Sequence, residues 1–309
     1  MNKNKLINNL KALWAVAVVA GGIYYVIKNY TTAINYLTTI SIVKLVFSFA
    51  LIVLVRLMNV DLVQQSLVLI GRKANFKSAF SFVSISQLGK YIPGGVWQFF
   101  ARFEAYKEAN ITYKNMGKAF IVENIWLVAG SFFVSLAFIF FSQPVALLAK
   151  YGINLSGSTL IILGFACLIF WLVILVIIEL VMKVKALPVS IMRLMYLFVS
   201  QTLLWILFGI SFFCLFSMTG SVNDLSFTIG AFGLSFLAGY VAIISPGGIG
   251  VREYVAVLLF SMMFSSAEIG IYTIVHRLLY TIAEFGLAGV ALLLNKKKLG
   301  VTPSTMEKI

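Results

Sequence analysis

The sequence predicts an all-α polytopic membrane protein, with about six full transmembrane helices and two broken, re-entrant helical hairpins in an inverted repeat. Three observations carry that prediction. Of 309 residues, 61% are apolar and 11% charged, against about 25% charged in soluble domains, too thin a polar coat for a monomeric globule. Six apolar stretches reach the roughly 20 residues that a helix needs to cross a bilayer core of about 30 Å. Pro-Gly-Gly occurs twice inside apolar sequence, at Pro93-Gly94-Gly95 and Pro246-Gly247-Gly248. The same composition excludes a disordered chain, a fibrous repeat and a disulfide-stapled secreted module.

The predicted spans run over 10–28, 39–63, 115–142, 158–182, 191–218 and 269–295. In the first, Lys3, Lys5 and Lys11 before an apolar run resemble a signal peptide. The run continues past Ala20, Gly21 and Gly22 to Ile27, however, which favours an uncleaved anchor. Later spans hold β-branched runs such as Val173-Ile174-Leu175-Val176-Ile177-Ile178. In lipid these still form helix, because intrahelical hydrogen bonds satisfy the backbone there.

Charge orients the spans. The formal net charge is +14, and the basic residues lie mostly between apolar stretches, with no nucleic-acid-binding motif among them. Outside the broken stretch that holds Arg252, odd-numbered connections carry only Lys28 and Lys150, whereas the N-terminus and the even-numbered connections carry many more, including Arg72, Lys73, Lys77, Lys114, Lys183, Arg193 and Lys296-Lys297-Lys298. The positive-inside rule places both termini in the cytoplasm of a bacterial-type cytoplasmic membrane. Cys167 and Cys214 sit inside apolar runs without metal-ligand spacing and read as small apolar side chains.

The stretches 76–110 and 226–264 are each interrupted by a Pro-Gly-Gly, leaving pieces mostly too short to span. Proline removes a donor and glycine permits positive φ, so together they break a helix sharply. Two hairpins, one dipping from each side of the membrane, satisfy both the lengths and the charge map. Span, hairpin and span then recur at 39–142 and 191–295 with opposite orientation, within a single integral membrane domain, 1–309. The prolines lie 153 positions apart, and that offset sets Glu123-Asn124 against His276-Arg277. Inverted repeats with broken helices meeting near the midplane are a common way to build a transport site.

The candidate substrate-binding residues flank the two breaks: Lys90, Pro93, Gly94, Gly95, Trp97 and Gln98 at the first, and Pro246, Gly247, Gly248, Arg252 and Glu253 at the second. Helices that start after a break aim free N–H groups and a positive dipole end inward, which suits an anion. Lys90 and Arg252 add formal charge. Two readings stay open for them: Lys90 snorkels to the interface or serves as a counter-charge, and Arg252 and Glu253 form a structural pair or a functional site. Glu123, His276, Arg277 and Glu284 are candidate coupling or ion-pair groups; Arg277, Tyr280 or Thr281, and Glu284 share one helical face. Arg102 and Glu104 are expected near the cytoplasmic surface, and Lys44, Arg56 and Glu179 near span ends, snorkelling. With His276 the sole histidine, no His-based metal site and no cofactor are expected.

The runs Lys90-Tyr91-Ile92-Pro93-Gly94-Gly95-Val96-Trp97 and Pro246-Gly247-Gly248-Ile249-Gly250-Val251-Arg252-Glu253 resemble the lysylphosphatidylglycerol synthase transmembrane-region family. The resemblance covers roughly 10–295. It implies movement of lipids between leaflets and, for stand-alone members, an association with glycan-synthesis enzymes. Aminoacylating members carry a large soluble domain after the membrane region, and this chain ends at Ile309, so no synthase activity is expected. The reading that follows is a flippase for an anionic or polyprenyl-phosphate-linked lipid in cell-envelope glycan synthesis, with a membrane lipid of anionic headgroup as partner. The alternatives are a non-catalytic partner of a synthesis complex and a lipid-phosphate-dependent glycosyltransferase, for which Asp224 and Glu268 are the only acidic candidates on outer connections.

Overall fold

A computed structural model of the chain describes residues 30–91, 97–108, 111–150, 152–182, 190–216, 221–242, 245–261 and 264–294. The expected first span, 10–28, and the first break, Pro93, Gly94 and Gly95, lie outside them. The described residues form α1 (Tyr30–Thr39), α2 (Ile42–Leu69), α3 (Phe76–Gln87), a 3-10 turn (Leu88–Tyr91), α4 (Trp97–Glu108), α5 (Tyr113–Phe141), α6 (Val145–Lys150), α7 (Gly157–Met182), α8 (Ile191–Phe216), α9 (Val222–Val241), a second 3-10 turn (Pro246–Gly248), α10 (Val251–Phe260) and α11 (Ser266–Leu294). There is no strand among the described residues. Six of these helices, α2, α5, α7, α8, α9 and α11, are long and apolar enough to cross a membrane.

Local chemistry sets the ends. The Ser41 hydroxyl accepts from the Lys44 N–H at the start of α2, and the Asn75 side chain accepts from the Ser78 N–H at the start of α3. Ser221 and Asp224 close a reciprocal capping box on α9. That box explains a departure from expectation. Counting apolar residues starts this segment at 226, but polar Asn223 and Asp224 belong to the helix, so α9 reaches 20 residues and is long enough to cross by itself.

Both broken segments fold back as antiparallel helix pairs. In the first, the Phe82 and Tyr106 rings meet edge to face at 5.6 Å, and Arg102 Nε donates to Ser86 Oγ at 3.0 Å. In the second, Phe227 near the start of α9 meets Phe260 at the end of α10 at 5.7 Å. The return in the second pair needs glycine. Gly247 and Gly248 have φ of 59° and 71°, and a Cβ on Gly248 would stand 2.6 Å from the Gly239 carbonyl oxygen.

The two pairs are exchanged between the halves of the molecule: α3 packs on α11, α9 packs on α5, and α2 packs on α8. The two 3-10 turns touch each other at the centre. One buried cluster fills the space between α2, α5, α7 and α8 and around α9 to α11, with Trp126, Trp171, Trp205, Phe212 and Phe232. A second lies under the first pair around Leu67, Phe82, Tyr106 and Met116. The opposite side of α7 is bare apolar surface, with Ile162, Phe165, Ile169, Phe170 and Ile177 exposed. A face of that kind suits acyl chains rather than water.

Three charged residues depart from expectation. Arg56 is 6% exposed, Arg102 6% and Glu179 1%, so none of them snorkels or sits in solvent. Each is held by an opposite charge: Arg56 by Glu284, Arg102 by Glu123, and Glu179 by Arg193. Burial of a charge this deep requires such a partner.

Candidate functional site: a cationic cavity between the helix pairs

A cavity of about 550 Å³ opens where the two 3-10 turns meet. It is walled by α2, α5, α8 and α11 together with the ends of both broken pairs, and its polar lining includes Arg56, Lys90, Arg102, Glu123, Arg252 and Arg277. That size is in the range of ligand sites rather than of packing flaws.

Three charge clusters ring it. In the first, Glu284 of α11 takes Lys90 Nζ at 2.5 Å and Arg56 Nη2 at 3.2 Å, and its second oxygen accepts from Tyr91 Oη at 2.7 Å. Lys90 on the turn of one broken pair is thereby tied to the last span. In the second cluster, Arg102 of α4 pairs with Glu123 of α5 at 3.0 Å, and Glu123 also accepts from Tyr106 Oη and from Ser66 Oγ at 3.0 Å. In the third, Arg277 of α11 pairs with Glu253 of α10 at 2.6 Å and donates to the Gly247 carbonyl at 2.9 Å. The second and third clusters do the same job in the two halves with the charges reversed. Each ties the return helix of a broken pair to the span that follows.

Arg252 differs from the other cations. It is 5% exposed, and no carboxylate lies within salt-bridge reach of it among the described residues. Its guanidinium faces rings, with Cζ 4.7 Å from the Phe232 centroid, 5.1 Å from Phe236 and 5.6 Å from Phe208. Nη2 lies 3.4 Å from His276 Nδ1, and Nε has no acceptor. His276 is fully buried and its Nε2 meets Ser211 Oγ at 2.8 Å. Ser211 Oγ in turn donates to the Phe208 carbonyl at 2.6 Å, so the ring donates from Nε2 and presents a lone pair at Nδ1 to Arg252.

The structure therefore brings together Lys90, Gln98, Glu123, Gly247, Gly248, Arg252, Arg277 and Glu284 of the expected site residues, with His276 in the wall behind Arg252. Trp97 is 48% exposed on α4 and does not line the cavity. Glu253 does not pair with Arg252; besides binding Arg277, it accepts from the Gly250 N–H at 2.7 Å. The start of α10 is thus capped by its own carboxylate, so charge at this break comes from Arg252 and Arg277 more than from free backbone N–H groups.

Arg56, Arg102, Tyr91 and Tyr106 join the site without having been expected there. Arg56 carries a signal of its own: an arginine at the fifteenth of 28 residues of an apolar helix has no interface within reach. For Arg102 the signal was its spacing from Glu123, which becomes meaningful only once α4 folds back.

A comparison with curated proteins finds no significant match. The model of the lysylphosphatidylglycerol synthase TM region family matches residues 12–288, which takes in both broken pairs and every wall of the cavity, and the chain belongs to that family.

Proposed function

We propose that the protein moves a lipid with an anionic headgroup across a bacterial-type cytoplasmic membrane, without itself being an enzyme. Membership in a membrane lipid-related family supports the lipid. One observation carries the headgroup: Arg252, buried in a cavity at the meeting point of two broken helix pairs, has no carboxylate within salt-bridge reach among the described residues. A buried, unpaired guanidinium is costly in a low-dielectric interior, and a phosphate that binds it recovers that cost. The surrounding carboxylates, Glu123, Glu253 and Glu284, are each held by cations. That leaves them poorly placed to act as a general acid or base, which supports transport over sugar transfer.

In this reading 39–142 and 191–295 are inverted repeats, and the exchanged packing of α3 on α11 and α9 on α5 supports that division. Rocking of one repeat against the other presents the cavity to one leaflet and then the other. The ion pairs Arg102–Glu123 and Arg277–Glu253 keep each return helix with its own repeat as this happens.

The test is translocation in vesicles. Purified full-length protein is reconstituted with an acyl-labelled fluorescent phosphatidylglycerol, and inner-leaflet label is measured by its loss to an impermeant quencher added outside. Quenching beyond that of protein-free vesicles is expected, falling at least about tenfold in rate with Arg252→Gln. Quenching equal to that of protein-free vesicles, for this lipid and for a lipid phosphomonoester alike, would remove translocation and leave a non-catalytic partner of a lipid or glycan synthesis complex as the reading.

A further inference from the structure

The charge around the cavity does not sum to zero. Five cations stand there, Arg56, Lys90, Arg102, Arg252 and Arg277, against three carboxylates, Glu123, Glu253 and Glu284. Arg102–Glu123 and Arg277–Glu253 cancel. Glu284 neutralises one of Lys90 and Arg56, and Arg252 stands alone, leaving an excess of two positive charges.

No other acid whose side chain the structure describes reaches this centre to correct the balance. The chain has ten acidic residues. Asp61 is engaged by Gln65 and Tyr196, Glu104 by Lys107, and Glu179 by Arg193. Asp224 caps α9, and Glu268 lies in the first turn of α11. Of the other two, Glu108 closes α4 at the end away from the turn, and Glu307 lies outside the described residues.

The two excess charges also lie close together. Lys90 Nζ is 4.6 Å from the centre of the Tyr280 ring, Arg56 Cζ 5.4 Å and Arg252 Cζ 5.9 Å, so three cations from three elements converge on one ring. Like charges held this way repel each other in a medium that screens poorly. A ligand bearing two negative charges within one headgroup relieves both the repulsion and the desolvation. A ligand bearing one leaves half of the excess in place.

Building on the translocation reading, we infer that the cavity selects a dianionic lipid headgroup: a phosphomonoester, which carries about −1.5 to −2 near pH 7, or a diphosphate diester with one charge per phosphate. An ordinary phosphodiester phospholipid, with its single phosphate charge, is the weaker ligand. Arg252 and the Lys90–Arg56 pair, gathered around Tyr280, hold the two charges.

A matched pair of probes tests this. Dodecyl phosphate and its monomethyl ester differ by one negative charge at pH 8, and each is titrated into the full-length protein in neutral detergent, with binding read by calorimetry. Dodecyl phosphate is expected to bind about tenfold more tightly. The preference should shrink toward unity in Arg252→Gln, and in the wild type at pH 5, below the second phosphate pKa of about 6. Equal affinities in the wild type at pH 8 overturn the inference, and this comparison needs no variant to fold. Inorganic phosphate that competes at the concentration of dodecyl phosphate would show a site for free phosphate and overturn the lipid assignment; failure to compete supports it. If phosphatidylglycerol crosses vesicles while the two probes bind equally, translocation stands and the charge selection falls. If the probes are discriminated but no lipid crosses, the selection stands and translocation falls.

Discussion

His276 shows how a single side chain sets the character of the site. It approaches Arg252 as an acceptor without bringing a negative charge, so the guanidinium is held in place but left uncancelled. Glutamate at this position would supply the missing counter-charge. His276→Glu is therefore expected to fold and to lose anion binding by at least about tenfold, whereas His276→Gln, which keeps a neutral acceptor, should retain most of it. Calorimetry with dodecyl phosphate separates the two; equal loss in both would mean that ring shape rather than charge matters. Glu284 makes the opposite case. It is 1% exposed and answers both Lys90 and Arg56, so Glu284→Gln strands two buried cations. A destabilisation of about 3–5 kcal/mol is the expected scale for breaking such a pair, measurable as a lowered midpoint of thermal unfolding in detergent. An unchanged midpoint would show that solvent or ligand reaches those cations freely.

At this scale the sequence was half legible. The offset of 153 set Glu123-Asn124 against His276-Arg277, and all four belong to the centre: Glu123, Asn124 and Arg277 line the cavity, His276 stands behind Arg252, and Asn124 accepts from Tyr240 Oη. Arg56, Arg102 and Glu179 were misread because hydropathy gives the depth of a residue only to within the error of a span boundary, and says nothing of the helix face it occupies. Partner choice was hidden as well. Neighbouring Arg252 and Glu253 point to different companions, since adjacent residues on a helix lie on different faces.

At the scale of elements, the second break depends on backbone that only glycine tolerates comfortably. Gly248 combines φ of 71° with a close approach to the Gly239 carbonyl. Gly248→Ala meets both penalties, about 1–2 kcal/mol for the left-handed conformation plus the clash, and should lower thermal stability and ligand binding together. Gly286 of α11 is a fair control, because a Cβ there meets nothing within 4 Å. Gly286→Ala should be neutral or stabilising by up to about 1 kcal/mol through helix propensity. If both variants behave alike, the turn is not a rigid part of the site. The second break was readable from Pro-Gly-Gly in apolar sequence, the first lying outside the described residues, and so were five of the six long helices. The length of α9 was not, because a capping box of polar residues extends a helix beyond the reach of an apolar count.

For the whole molecule, the packing and the charge map make one joint prediction about topology. Lys44 Nζ on the first turn of α2 reaches the carbonyl of Phe216 at the end of α8 at 3.4 Å, so those two helix ends share one side. At the other side, Arg193 at the start of α8 binds Glu179 near the end of α7 and the Gln65 carbonyl near the end of α2. The positive-inside rule makes this second side, with Arg72, Lys73 and Lys114 close in sequence, the cytoplasmic one. Single cysteines placed in a background lacking Cys167 and Cys214 test the assignment with a membrane-impermeant maleimide. Asn154→Cys, before α7, and Asn223→Cys, at the start of α9, are expected to label in intact cells. Lys73→Cys and Lys114→Cys should label only after permeabilisation. A fully reversed pattern would keep the fold and invert its orientation. Labelling of Asn223→Cys from the same side as Lys114→Cys would break the antiparallel relation between the halves, and with it the inverted repeat and the alternating access proposed above.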